Sequence, residues 1–226
     1  MKVLHSAFHV VTAFVLLFFA GNALAQGRKP LISVLGDSYV RNHRRPWQES
    51  WHALAAEELG CEYSNHGRNG GCVAFDRSSE GFGPSLLVRY QELEPNSDIV
   101  LIIAGHNDAD KIKNSADSLA MFADSLDLLL DRIAERCPQA RIAWVTPWWV
   151  GRDGFAPVCK TIRAICKRHH VPVLDNCNKK SIIKVRDDDF RHRYFQGDND
   201  TAHLNADGHK LFLPVGKKFI QKLQKR

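Results

Sequence analysis

The sequence predicts an α/β protein: a mainly parallel sheet covered by helices on both faces. Three observations lead there. Short apolar runs alternate with longer segments of helical periodicity, the order that βαβ units produce. The clearest run, "DIVLIIA" (Asp98–Ala104), is apolar and mostly β-branched through its centre, as a strand buried on both faces requires. The residues with distinctive chemistry follow such runs, and ligands of parallel sheets bind beyond the carboxyl ends of the strands.

The elements follow in order. Leu31–Leu35 reads as a strand stopped by Gly36. Pro46–Leu59 reads as a helix, with proline acceptable in the first turn and Gly60 a stop signal. Cys61–Ser64 is a candidate second strand. Residues 65–84, rich in Gly, Asn, Arg and Ser, read as a long functional loop. After the Asp98–Ala104 strand come a helix over Ser115–Arg136, a strand over Arg141–Val145 and a helix over Ala156–His169. A short strand over Val171–Leu174 follows. A helix over Asn205–Leu223 closes the chain, with Leu211, Val215, Phe219 and Leu223 spaced four apart on one face.

The first 25 residues stand outside this pattern. Lys2 supplies a positive start, Val10–Ala20 is almost continuously apolar, and Ala23-Leu24-Ala25 fits a small-x-small cleavage site. This predicts a secretory signal peptide, hence export to a periplasm or beyond. A retained anchor is the other reading, but the apolar run is short against the roughly 20 residues of a membrane span. Residues 26–226 are then expected to form one domain, and no repeat or linker divides them.

The net charge of +6 comes from dispersed residues, apart from a C-terminal cluster (Lys217, Lys218, Lys222, Lys225, Arg226) that reads as a solvated helix face. No basic stripe with interleaved aromatics is present, so nucleic acid is not an expected partner. All six cysteines follow residue 25. Export permits disulfides, but the sequence cannot choose a pairing. Cys159 and Cys166 are an exception: on one helix they lie about 10 Å apart along the axis, too far to bridge. Free buried thiols remain an alternative for several of the six. No Cys/His spacing suggests zinc, and no metal or cofactor is expected.

Ser38, in "SVLGDSYVRN", follows the first strand. A serine hydroxyl is a weak nucleophile until a base takes its proton. Near the other end "DNDTAHLNADGH" places Asp200 and His203 three residues apart, close enough in a turn for the carboxylate to orient the imidazole. Asn205 and Asp207 are candidate caps of the last helix. Acyl transfer also needs donors for an oxyanion. The candidates are the Ser38 N–H, a glycine N–H in "NHGRNGG" and the Asn107 amide in "GHND". Each motif alone is ordinary turn chemistry.

Together and in order, the first three beyond strands and Asp200-x-x-His203 before the last helix, they resemble the SGNH (GDSL-type) hydrolase family over residues 31 to about 212. The resemblance implies a three-layer α/β/α fold of the SGNH or flavodoxin-like kind and hydrolysis of esters or thioesters without a metal. It casts Ser38 as nucleophile, His203 as base, Asp200 as the group that orients it, and Ser38, Gly70 and Asn107 as the oxyanion hole. Gly71 competes with Gly70; the spacing Asn65-x-Gly67-x-x-Gly70 favours Gly70. Tyr39 and His106 depart from the family's usual residues. His106 is expected to narrow the pocket or touch substrate.

Substrate signals are weaker. Trp144, inside a strand, reads as core. Trp148 and Trp149, beyond it, read equally as sugar platforms and as packing. Arg41, Arg44 and Arg45 would suit an anionic glycan, or are solvated loop arginines. The favoured expectation is an exported deacetylase acting on carbohydrate. A lipid-type esterase or lysophospholipase is the alternative within enzymes, and a glycan-binding protein without activity is the alternative outside them.

Overall fold

The computed structural model describes residues 28–225; the signal peptide expected over residues 1–25 lies outside the described residues. Strands β1 (Leu31–Gly36), β2 (Glu62–Gly67), β3 (Ile99–Ile103), β4 (Arg141–Val145) and β5 (Val173–Leu174) form one sheet. Its order is β2-β1-β3-β4-β5, and every neighbouring pair is parallel. Parallel neighbours need crossovers, and helices supply them. The helices are α1 (Ser38–Arg41), α2 (Trp51–Glu58), α3 (Leu86–Arg89), α4 (His106–Ile112), α5 (Ala116–Arg136), α6 (Phe155–Arg168), α7 (Asp188–Tyr194) and α8 (Ala206–Gln224).

The helices divide into two layers. α2 packs on α8, and α7 joins them; α3, α4, α5 and α6 pack among themselves. With the sheet between, the chain forms the three-layer α/β/α arrangement that the alternation predicts. β1 and β3 are buried along their whole length, which explains their unbroken apolar runs. Trp144, Trp148, Phe122, Phe155 and Phe212 are the largest side chains wholly enclosed in the core.

Several boundaries differ from expectation for physical reasons. β2 runs to Gly67 instead of ending at Ser64. It is polar (EYSNHG), so it carries no apolar signal. As an edge strand, it satisfies Ser64 and His66 through Glu94, which also accepts from Ser33. The expected helix from Pro46 is a 3₁₀ turn (Trp47–Glu49) followed by α2. The strand expected over Val171–Leu174 shortens to Val173–Leu174. α7 was not foreseen, although Asp187 caps it through the Phe190 N–H at 2.9 Å, and acids open it and bases close it.

On α8 the buried face runs through His209, Phe212, Gly216 and Ile220, one step round from the expected stripe; only Leu223 belongs to both. The cause is Gly216. A Cβ there would stand 2.2 Å from the Trp51 ring, so the bare backbone is what lets Trp51 lie against the helix. Asn205 caps α8 as expected, accepting from the Gly208 N–H at 2.9 Å. All six cysteines are free thiols. Among the described residues no helix is long and apolar enough to cross a membrane.

Candidate active site

β1 delivers Ser38 to the carboxyl edge of the sheet, as the first residue of α1. Four residues cannot hold a helix by propensity, so its ends are tied. Asp37 accepts the Tyr39 N–H at 2.9 Å. Asn42 closes the turn in the left-handed region (φ 63°), its side chain donating to Pro46 O at 2.7 Å and lying 3.0 Å from His209 Nε2. Ser38 is thereby fixed by the Asp37 cap of its own turn and by contacts to Pro46 and to His209 of α8.

His203 approaches from the loop before α8. Its Nε2 lies 2.8 Å from Ser38 Oγ and its Nδ1 2.8 Å from Asp200 Oδ2. A carboxylate can only accept, so Nδ1 carries the proton and Nε2 is left to accept from the serine hydroxyl. The Asp200 carboxylate also accepts the backbone N–H groups of Ala202 (2.8 Å) and His203 (2.9 Å). The Asp200–His203 spacing thus works through a tight turn rather than a helix. Burial pushes the Asp200 carboxyl upward, but the bonds from the His203 ring and these N–H groups outweigh it and hold it below the usual range.

The glycine loop faces Ser38 from the other side. Gly71 N–H closes a turn onto Arg68 O (3.1 Å), while Gly70, at φ +71°, directs its N–H to no acceptor among the described residues. The same holds for the Ser38 N–H. Gly70 is covered by the Phe82 ring, which would stand 2.3 Å from a Cβ. Arg77 stacks over Phe82 at 4.2 Å and donates to Gly70 O at 2.9 Å. Glu80 joins Arg77 (2.7 Å) to Lys111 of α4 (2.7 Å), so an ion-paired clasp ties the loop to that helix.

"GHND" grips the same loop from β3. Asn107 donates to Gly71 O at 2.9 Å and, less closely, to Asp37 Oδ2 at 3.4 Å. Asp108 accepts the N–H groups of Val73 and Ala74, both at 3.0–3.1 Å. Both amide protons of Asn107 are therefore turned on the protein. Burial pushes the Asp37 carboxyl up to about 8 and Asp108 up to about 6.

Two cavities meet at the histidine. One, of about 510 Å³, is lined by Ser38, Gly70, Asn107, Phe82, Arg77 and Lys113, among others. The second, of about 500 Å³, is bounded by Arg44, His106, Arg152, Gln196, Asp200 and Thr201. His43 and His203 border both. Charged and amide residues make up most of both linings.

The expected substrate contacts fare differently. His106 borders the second cavity, but its ring is engaged: Nδ1 lies 3.1 Å from Tyr39 OH and Nε2 3.2 Å from Arg152. Burial, helped by Arg152, pushes it down to about 3, so it is neutral. Trp148 is not a sugar platform. It is 2% exposed, packs against Tyr39 and Phe212, and donates to Ala202 O at 2.8 Å, so it supports the His203 loop from behind. Trp149 is half-buried and lines a separate cavity of about 730 Å³ with Lys179, Lys184 and Arg186, away from Ser38. Arg41 is exposed and borders neither catalytic-side cavity, because α1 turns it outward past Gly67. Trp144 is core, as expected. The sequence reading missed Phe82, Arg77 and His43, which occupy no motif; only the path of the loops brings them to the serine.

The model of the GDSL-like lipase/acylhydrolase family matches residues 34–211, and the chain belongs to that family of ester hydrolases. Solved structures share the fold at low identity. A protein from Lactobacillus plantarum is 17% identical with a TM-score of 0.71, covering 87% of this chain and 99% of its own. An acetyl xylan esterase is 16% identical with a TM-score of 0.62, covering 85% and 98%. A carbohydrate esterase family 2 enzyme with a carbohydrate-binding domain, from Corynascus thermopiles, is 16% identical with a TM-score of 0.64, covering 89% and 68%. No curated protein matches the sequence.

Proposed function

We propose that this chain is an exported serine esterase that removes acyl groups, acetyl foremost, from carbohydrates. The observation that carries the reading is the hydrogen-bonded line from Ser38 Oγ through His203 to Asp200, 2.8 Å at each step, opening on a cleft lined mostly by charged and amide residues. In this reading His203 Nε2 takes the Ser38 proton as Oγ bonds to the ester carbonyl carbon. The N–H groups of Ser38 and Gly70, with the Asn107 amide, receive the negative charge that develops on the carbonyl oxygen. Asp200 keeps the ring in the required tautomer and stabilises the imidazolium. The C–O bond to the alcohol then breaks, and His203 returns the proton to the departing oxygen. Water, deprotonated by the same Nε2, attacks the acyl-serine and releases the acid.

Polar substrates are favoured because the side chains of Asn69, Arg77, Asp110, Lys111 and Lys113 offer them hydrogen-bond and charge partners along the cleft, and Phe82 is its one aromatic besides the histidines. Two of the structural neighbours are an acetyl xylan esterase and a carbohydrate esterase family 2 enzyme, which agrees with this reading. Export rests on the N-terminal sequence pattern.

The test combines labelling with a substrate panel. A fluorophosphonate should label the chain at Ser38, and Ser38→Ala should abolish both labelling and turnover of a small aryl acetate. Acetate release from acetylated xylan or pectin should exceed hydrolysis of long-chain esters. Preference for long chains would replace the carbohydrate reading with a lipid one. Failure to label would leave a binding protein.

A further inference from the structure

His43 is a residue that stability alone does not explain. Its backbone sits at φ +42°, in the left-handed region that residues with a Cβ avoid, directly after Asn42 at φ +63°. Its Nδ1 is buried without a hydrogen-bond partner among the described residues, a state that natural structures rarely leave uncorrected. Asparagine tolerates the left-handed region and is common at such helix ends; histidine with an orphaned nitrogen is an unfavourable choice for the next position. Strain of this kind persists where function requires it.

What the strain achieves is a stacked ring. The His43 imidazole lies on the face of His203 with centroids 4.2 Å apart and planes 16° apart. Its backbone N–H donates to Ser38 O at 3.2 Å, so the platform is tied to the residue the base must serve. The bonds at Nδ1 and Nε2 of His203 aim the edges of its ring, but hydrogen bonds tolerate tens of degrees of misalignment. A flat contact at van der Waals distance removes most of that tilt. Tyr39 also lies near the His203 ring, but tilted at 49° and with centroids 6.3 Å apart. A charged partner would repel the imidazolium that forms on His203, and His43 meets that need as well. Burial, then His203 and Arg44, lower its tendency to take up a proton.

We infer that His43 is a positioning residue: it fixes the plane of the His203 ring so that Nε2 stays aligned with Ser38 Oγ, and the chain accepts a strained backbone and an unpaired nitrogen to keep it there. The inference rests on the reading of His203 as the base.

Three variants test it, with an aryl acetate as substrate and the full chain as enzyme. His43→Gly removes the ring and permits the left-handed backbone. It should lower kcat between about 10- and 100-fold, the scale of a small misplacement of a reacting group. KM should stay within about threefold of wild type and the melting temperature should not fall. His43→Phe restores a flat ring without the nitrogen and should recover most of kcat. His43→Leu, similar in bulk but not flat, should not. Wild-type kcat in the glycine or leucine variant would overturn the proposal. So would a fall in melting temperature that accounts for the lost activity, or a change confined to KM. His203→Ala is the control that separates the two readings. If it stays active, the assignment of the base has failed rather than the role of His43.

Discussion

Replacing Gly70 by alanine would perturb the oxyanion side of the site at one atom. The new Cβ would start 2.3–2.4 Å from Cδ1 and Cγ of Phe82, and φ would remain near +71° unless the turn gives way. The left-handed conformation costs about 1–2 kcal/mol for a residue with a Cβ. Overpacking against the half-buried Phe82 ring costs roughly 1–3 kcal/mol more. The destabilisation should therefore be about 2–5 kcal/mol, measured by urea unfolding. Relief by moving the turn would withdraw the Gly70 N–H from the position facing Ser38, and losing one such donor costs about 10²–10³ in kcat. The assay is kcat for an aryl acetate, with Gly71→Ala beside it. The nearest atom to a Cβ at Gly71 is Arg68 O at 3.2 Å, and its N–H is already committed to that oxygen, so the effect there should be much smaller. Adding Phe82→Ala to Gly70→Ala should recover part of the stability, because the clash disappears while the backbone strain remains. Full activity in Gly70→Ala, or a larger loss in Gly71→Ala, would refute the assignment of the donor.

Further outcomes follow from particular contacts. Asp200→Asn should lower kcat by about 10²–10⁴ with little change in KM, because an amide no longer enforces the Nδ1–H tautomer; a pure KM effect in steady-state kinetics would argue against that role. Trp148→Phe keeps the ring but loses the bond to Ala202 O, and should cost about 1–2 kcal/mol in unfolding. If Trp148 bound sugar, KM on a glycan would rise instead while stability held. His209 is 4% exposed, and burial holds its folded pKa at about 3. The unfolded chain takes up this proton below about pH 6.5 while the folded chain does not, so its contribution is complete above that pH and is lost as pH falls toward 3. His209→Gln should therefore flatten the pH dependence of the unfolding free energy by about 1.4 kcal/mol per pH unit between pH 6 and 4. An unchanged slope would mean that the imidazole is not kept neutral.

Much of this site was legible in the chain because its chemistry is local. Asp200 and His203 meet through one turn, and Gly36, Asp37 and Ser38 follow directly from a buried strand. "GHND" could be placed beyond β3, but that Asn107 and Asp108 both hold the glycine loop could not be read. Those partners lie 34 to 36 residues away. α1 escaped notice because four residues carry no periodicity; β2 was misjudged because an edge strand with polar partners shows no apolar run.

The tryptophans show the limit most clearly. Position beyond β4 marked Trp148 and Trp149 as candidates for substrate, yet Trp148 turns inward behind the His203 loop and Trp149 turns toward another cavity. By itself the amino-acid order determined the strand–helix alternation, the buried central strands and the kinds of side chain set at the sheet edge, since periodicity and turn chemistry are short-range properties. Tertiary structure alone decided which of those side chains share a cleft, which histidine stacks on which, and which aromatic covers Gly70. Such contacts join residues tens to hundreds of positions apart, and their energies exist only once the layers have packed.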